Sequence, residues 1–120
     1  MDRKILIVDD EPAIRDLLAD FLAGENFKAF TASNGTDALK IVNEHKPPLV
    51  LLDLSLGPEN GLNILQIIKK GYPEIFVIIL SGGQDEEKAK EAIQLGAYDY
   101  VSKPVSLRRL VEDFVERIFI

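Results

Sequence analysis

The chain has 120 residues, 14 Lys plus Arg against 20 Asp plus Glu, a net charge of −6, 47% hydrophobic residues, and neither Cys nor Trp. This length accommodates one domain with its own core and not two, so a single domain over residues 1–120 is expected. Without Cys there are no disulfide frameworks, thiolate nucleophiles or thiolate zinc sites, and the acidic balance argues against direct nucleic-acid contact, which depends on Lys and Arg displacing phosphate counterions.

Arg3 and Lys4 precede a run of apolar residues, but Ile5 to Val8 ends at Asp9 and Asp10 and is too short for a signal peptide. A membrane-spanning helix needs about 20 apolar residues, and no such stretch exists. A soluble, cytoplasmic protein with no membrane contact is expected.

Ile5 to Val8 is the first predicted strand, its near-continuous apolar character matching a parallel strand covered on both faces. Pro12 opens a helix whose stripe is Ile14, Leu17, Leu18, Phe21 and Leu22, with Gly24 placed where it should stop. Phe27 to Ala32 is interrupted by Lys28 and Thr31 and is assigned to an edge strand. A short helix on Ala38, Ile41 and Val42 follows, then a central strand at Leu49 to Leu52. Leu62, Ile64, Leu65, Ile67 and Ile68 form a third helical stripe that stops at Gly71. Phe76 to Leu80 is another central strand, and Ala89, Ala92 and Ile93 mark a helix ending at Gly96. Tyr98 to Val101, interrupted by Asp99, is the second edge, and Ser106 caps a last helix bearing Leu107, Leu110, Val111, Phe114, Val115 and Ile118. Five strand-helix units of this kind predict an α/β doubly wound parallel sheet of order 2-1-3-4-5. Ligands in such sheets bind at the carboxyl ends of the strands, here between the first and third.

The residues at those ends are polar. The first strand is followed by Asp9 and Asp10, the third by Asp53, the fourth by Ser81, and Lys103 lies just beyond the fifth. Singly, each has an ordinary reading: Asp10 as a helix cap, Asp9 as a strand-end acid, Ser81 as turn chemistry before Gly82 and Gly83, Lys103 as a solvated lysine. Together they form a cluster of acids that persists at low solvent access only with a compensating cation. Oxygen ligands without His or Cys suit Mg²⁺. An ionised Asp53 can attack phosphorus to give an aspartyl phosphate, with Ser81 and Lys103 steadying the phosphoryl oxygens.

With these residues in place the sequence resembles a receiver domain of a bacterial two-component response regulator, a flavodoxin-like fold. The likeness runs through ILIVDDEP, LVLLDLSLGPENG, VIILSGG and AIQLGAYDYVSKP. The resemblance implies that Asp53 is the phosphoacceptor, that Asp9, Asp10, Asp53 and the Ser55 carbonyl bind Mg²⁺, and that Ser81, Gly82 and Lys103 contact the phosphoryl group. It further implies a cis Lys103-Pro104 peptide and a switch in which Ser81 moves toward the phosphoryl group while the Tyr100 ring turns inward. A sensor histidine kinase is the implied donor, and a homodimer through the fourth helix, fifth strand and fifth helix is compatible with it. The domain would then be a signalling switch and not a conventional enzyme, excised from a longer regulator whose output domain is absent from this chain.

Two positions depart from the family pattern. Leu56-Gly57 stands where Met-Pro is usual, with Pro58 one place later, so the loop is expected to be reshaped while the spacing to Gly61 is kept. Gly82 follows Ser81 where Ala is more usual, which loosens that loop. Three rival functions fit less well. An interaction module signalling without phosphate has no need of the full residue set. A hydrolase with an aspartate nucleophile needs a second acid where Ser55 stands, and a flavin-binding fold needs a phosphate-cradling loop where Asp9, Asp10 and Glu11 stand. His45 is expected at the surface, Asp85 to Lys88 as a solvated helix start, and Arg108, Arg109, Glu112 and Asp113 as a solvated helix face.

Overall fold

A computed structural model describes residues 2–56 and 59–119. Gly57 and Pro58 of the altered loop, and Ile120 of the apolar chain end, lie outside the described residues. The elements run β1 (Lys4–Val8), α1 (Pro12–Gly24), β2 (Lys28–Ala32), α2 (Gly35–His45), β3 (Leu49–Asp53), a small antiparallel pair β4 (Ser55–Leu56) and β5 (Glu59–Asn60), α3 (Gly61–Gly71), β6 (Phe76–Ser81), α4 (Glu86–Gln94) and β7 (Asp99–Ser102). The last helix is α5 (Leu107–Leu110), a π-helical stretch (Val111–Val115) and α6 (Glu116–Ile118), continuous in backbone conformation.

The main sheet is parallel, in the order β2-β1-β3-β6-β7. Because β4 and β5 pair with each other outside it, this is the expected 2-1-3-4-5 order of a receiver-like α/β fold. Side chains alternate across each strand, and both sets are covered. Ile5, Ile7, Leu49, Leu51, Ile78 and Leu80 pack with Leu18 and Leu22 of α1 and with Leu110, Val111, Val115 and Ile118 of the last helix. Leu6, Val8, Val50, Leu52, Val77 and Ile79 pack on the other face with Ala38, Val42, Leu65, Ile68, Ala89 and Ala92 of α2, α3 and α4. This two-sided burial explains why the central strands read as unbroken apolar runs. Each such Val, Leu or Ile contributes about 1.5–3 kcal/mol by leaving water, an ample reason for the strands to sit in this register.

Helices α1 and α3 stop at Gly24 and Gly71 as expected, though neither glycine takes a left-handed conformation. That conformation falls instead to Asn26 (φ 68°) after α1 and Lys46 (φ 44°) after α2. Asn tolerates this conformation because its short side chain bonds locally. Gly96 does take it, at φ 108°, just beyond α4. Gly61 is needed for a different reason: a Cβ there would lie 2.7 Å from Leu54 Cα and 2.8 Å from the Asp53 carbonyl oxygen. Only glycine lets α3 start this close to the end of β3.

The π-helical stretch closes with the Glu116 N–H donating to the Val111 carbonyl, one residue further back than in an α-helix. Arg108 pairs with Glu112 at 3.9 Å and Arg109 with Asp113 at 3.5 Å on its exposed side, so these charges are linked within the helix as well as solvated. His45 lies at the surface as expected, its side chain 40% exposed, with its ring stacked on Phe30 of β2 at a centroid distance of 4.4 Å. Among the described residues, no helix is long and apolar enough to cross a membrane.

Candidate functional site

Four strand ends converge on a cleft of about 390 Å³ lined by Asp10, Glu11, Asp53, Ser55, Gly82, Gln84, Asp85 and Lys103. The chain puts charge here because each central strand runs out of apolar residues at this rim. Asp53 is the last residue of β3 and only 3% exposed. One of its oxygens, Oδ1, accepts from the Ser55 N–H at 3.1 Å, and the other lies 3.3 Å from Lys103 Nζ.

Asp9 is fully buried. Its Oδ1 accepts from the Glu11 N–H at 2.9 Å, a turn that leads the backbone from β1 into α1. Arg15 of α1 closes that turn by donating from Nη1 to the Asp9 carbonyl at 3.0 Å. Asp9 Oδ2 has no hydrogen-bond partner, although Lys103 Nζ stands 3.2 Å away. Asp10 is exposed and does not cap α1; Glu11 occupies the cap position, makes no side-chain cap bond, and accepts from Lys103 Nζ at 3.3 Å.

Lys103 therefore faces three carboxylates at once, and its ammonium is mostly covered. Burial opposes its charge, but Asp53 and Asp9 outweigh this and hold its pKa above the ordinary lysine value. For Asp53 the balance goes the other way: burial, aided by the neighbouring Asp9, pushes its pKa up to about 6 despite the Ser55 N–H and Lys103. One ammonium does not neutralise this rim. Carboxylate oxygens of Asp9, Asp10, Glu11 and Asp53 lie within 4.8 Å of one another, and the partnerless Asp9 Oδ2 is among the buried atoms. An all-oxygen set with an unsatisfied buried acceptor fits a hard divalent cation.

Ser81, the last residue of β6, is buried beside this cleft, and its carbonyl accepts from the Lys103 N–H at 2.7 Å. Ser81 and Tyr100 line an adjoining hollow of about 210 Å³ together with Gly82, Gly83, Glu86 and Ser102. Tyr100 is half-buried and packs against the core on the α2–α4 side. Gly82 belongs to both hollows. The Lys103-Pro104 peptide is cis.

Sequence reasoning gave Glu11 no role, yet it is both a partner of Lys103 and a member of the acidic cluster. Its place directly after Asp9-Asp10 was the available signal. Asp85, expected at a solvated helix start, is half-buried and turned into the cleft, where its Oδ2 accepts from the Ser55 hydroxyl at 3.2 Å. Glu86, Glu87 and Lys88 are exposed as expected. Asp85 and Gln84 reach the cleft through a 3₁₀ turn (Gly83–Asp85) that no periodicity announces.

The family profile of the response regulator receiver domain matches residues 5–114. An NtrX-like response regulator of Rickettsia felis is 50% identical over 109 residues, covering 89% of this chain and 23% of that protein. The nitrogen assimilation regulatory protein NtrX of Azorhizobium caulinodans is 42% identical over 92% of this chain and 25% of its own length. The chain thus spans about a quarter of the length of the curated relatives it matches. Among solved structures, the receiver domain of NtrX from Brucella abortus superposes with a TM-score of 0.90 at 42% identity, over 95% of this chain and 96% of that one. A CheY-like receiver domain from Methanospirillum hungatei gives 0.92 at 28% identity, over 99% and 95% of the respective chains.

Proposed function

This chain belongs to the response regulator receiver domains, and from that premise we propose that it takes a phosphoryl group from a sensor histidine kinase onto Asp53 in a Mg²⁺-dependent reaction. The observation that carries the reading is Asp53 itself: a buried carboxylate lining the cleft, held by the Ser55 N–H and Lys103 beside an under-neutralised acidic cluster.

In the transfer, an Asp53 oxygen attacks the phosphorus of the donor's phosphohistidine. The new O–P bond forms as the P–N bond breaks, and the electron pair leaves with the imidazole nitrogen. Asp53, with its pKa near 6, is mostly ionised at neutral pH and needs no base to become a nucleophile. The Ser55 N–H fixes the carboxylate's orientation, which converts encounter into reaction without further ordering. Lys103 holds its charge firmly among the acids and is placed to neutralise charge on the transferred group. Asp9, Asp10, Asp53 and the Ser55 carbonyl would hold Mg²⁺, which supplies positive charge to the phosphoryl oxygens when bound.

The switch we assign to Ser81 and Tyr100. They share the 210 Å³ hollow, into which the ring would turn as the hydroxyl moves toward Asp53. Moving a population from 1:99 to 99:1 takes about 5.5 kcal/mol. Contacts from Ser81, Gly82 and Lys103 to a phosphoryl group, at about 1.5–3 kcal/mol for each charge-assisted bond, supply that amount. Ile93 and Tyr98, both exposed, lie on α4 and at the entry to β7, and support a homodimer through α4, β7 and the last helix. The output domain would lie in the remainder of a longer cytoplasmic regulator. Exposure to Mg²⁺ and a small acyl phosphate should add the mass of one phosphoryl group to the wild type and none to Asp53→Asn. Unmodified wild type, or equal gain in the variant, would defeat the reading.

A further inference from the structure

Asp85 belongs to the cleft but not to the cation cluster. It sits half-buried at the start of α4, brings a carboxylate into the space above Asp53, and is absent from the group formed by Asp9, Asp10, Glu11 and Asp53. A side chain in that place narrows the approach of the anion that Asp53 must receive. What holds it there is the 3.2 Å bond from the Ser55 hydroxyl. That bond joins the loop after β3 to the turn after β6, two of the four segments that line the cleft.

The turn has open space on one side. It is tethered to β6 through Gly82 and Gly83, and a Cβ at Gly83 would meet nothing within 4 Å. Within the turn the Asp85 N–H donates to the Gly82 carbonyl at 3.0 Å, so the segment is closed on itself.

From this we infer that the Ser55–Asp85 hydrogen bond is a strap across the mouth of the cleft, which must open before a phosphodonor reaches Asp53. Asp85 is then a positioning residue that sets how fast the site is charged. The inference rests on the reading of Asp53 as phosphoacceptor, and it assigns a regulatory role to two side chains outside the acidic cluster and the lysine.

The test compares Ser55→Ala, Asp85→Ala, Asp85→Asn and the Ser55→Ala/Asp85→Ala double variant with wild type. Alanine at position 55 keeps the backbone carbonyl and N–H, so the acid cluster and the orientation of Asp53 are untouched. Phosphorylation by an acyl phosphate with Mg²⁺ should be about fivefold faster in either alanine variant, with no further gain in the double variant, as loss of one shared bond requires. Asn at position 85 still accepts from the hydroxyl, so that variant should stay within about twofold of wild type. In the unphosphorylated proteins, hydrogen exchange at the Asp85 amide should quicken in both alanine variants while the amides of β3 and β6 keep their rates. If Asp85→Asn matches Asp85→Ala while Ser55→Ala behaves as wild type, charge alone is at work and the strap is overturned. Unchanged rates and exchange in all variants overturn it too. A wild type that takes no phosphate refutes the proposed function, and the exchange comparison then still decides whether the strap exists.

Discussion

The two ends of the parallel sheet solve the same problem in opposite ways. At the end where the strands begin, three polar side chains that close loops find good partners. Lys69, in the last turn of α3, donates to the carbonyls of Pro73 and Ile75, each at 2.8 Å. Arg3 donates to the carbonyls of Glu25 and Asn26 and lies over the Phe27 ring at 3.9 Å. Tyr72 donates its hydroxyl to Asn43 at 2.7 Å. At the end where the strands stop, Lys103 is divided among three carboxylates and Asp9 Oδ2 goes without a hydrogen bond. One end is satisfied and serves the fold. The other holds charge that the chain alone does not balance, a demand that the proposed cation would meet.

The largest expected effect comes from removing the cation at the unsatisfied end. Lys103→Met should lower stability by about 3 kcal/mol in metal-free buffer near neutral pH, because Asp9 and Asp53 lose their shared counter-charge. Urea unfolding would measure this, and part of the loss should return on adding Mg²⁺ or on acidification that neutralises Asp53. A loss that ignores both would erase the contrast between the two ends.

Asp53→Asn should act in the other direction. The folded-state pKa of Asp53 is about 6 against the ordinary 3.8, so the folded protein holds this proton more tightly than the unfolded chain does. Stability therefore falls as pH rises between those values and stays reduced above them. The variant lacks this penalty. It should be more stable than wild type by about 2 kcal/mol above pH 6 without metal, the gap closing below about pH 4. Parallel stability curves for the two proteins would show that Asp53 carries no such burden.

Lys69→Met sharpens the comparison from the satisfied end. It should cost about 1–2 kcal/mol through two lost bonds to carbonyls, unaffected by Mg²⁺ and flat across the range in which Asp53 titrates.

How much of this was readable in advance follows from what each feature depends on. The central strands were legible because burial on both faces leaves no position for a polar residue, as in Leu49 to Leu52. Asp9, Asp53, Ser81 and Lys103 could be placed at one rim because a parallel sheet brings all strand ends to the same side. The edges were bounded less sharply: Phe27 and Tyr98 lie just outside β2 and β7, and Ser102 extends the latter. Glu11 and Asp85 were missed because their contacts depend on turns and side-chain directions that leave no periodic trace. The β4–β5 pair and the π-helical stretch are equally silent, since each alters backbone bonding without altering the pattern of apolar residues.

The 2.7 Å bond between the Lys103 N–H and the Ser81 carbonyl has a mechanical side. It links the end of β6 to the segment leading through Pro104 into the last helix, extending the β6–β7 pairing past Ser102. A displacement of the Ser81 backbone by a fraction of an ångström carries the Lys103 backbone with it. A pull on the Ser81 backbone would thus reach the start of the last helix at Leu107, close to the rim itself.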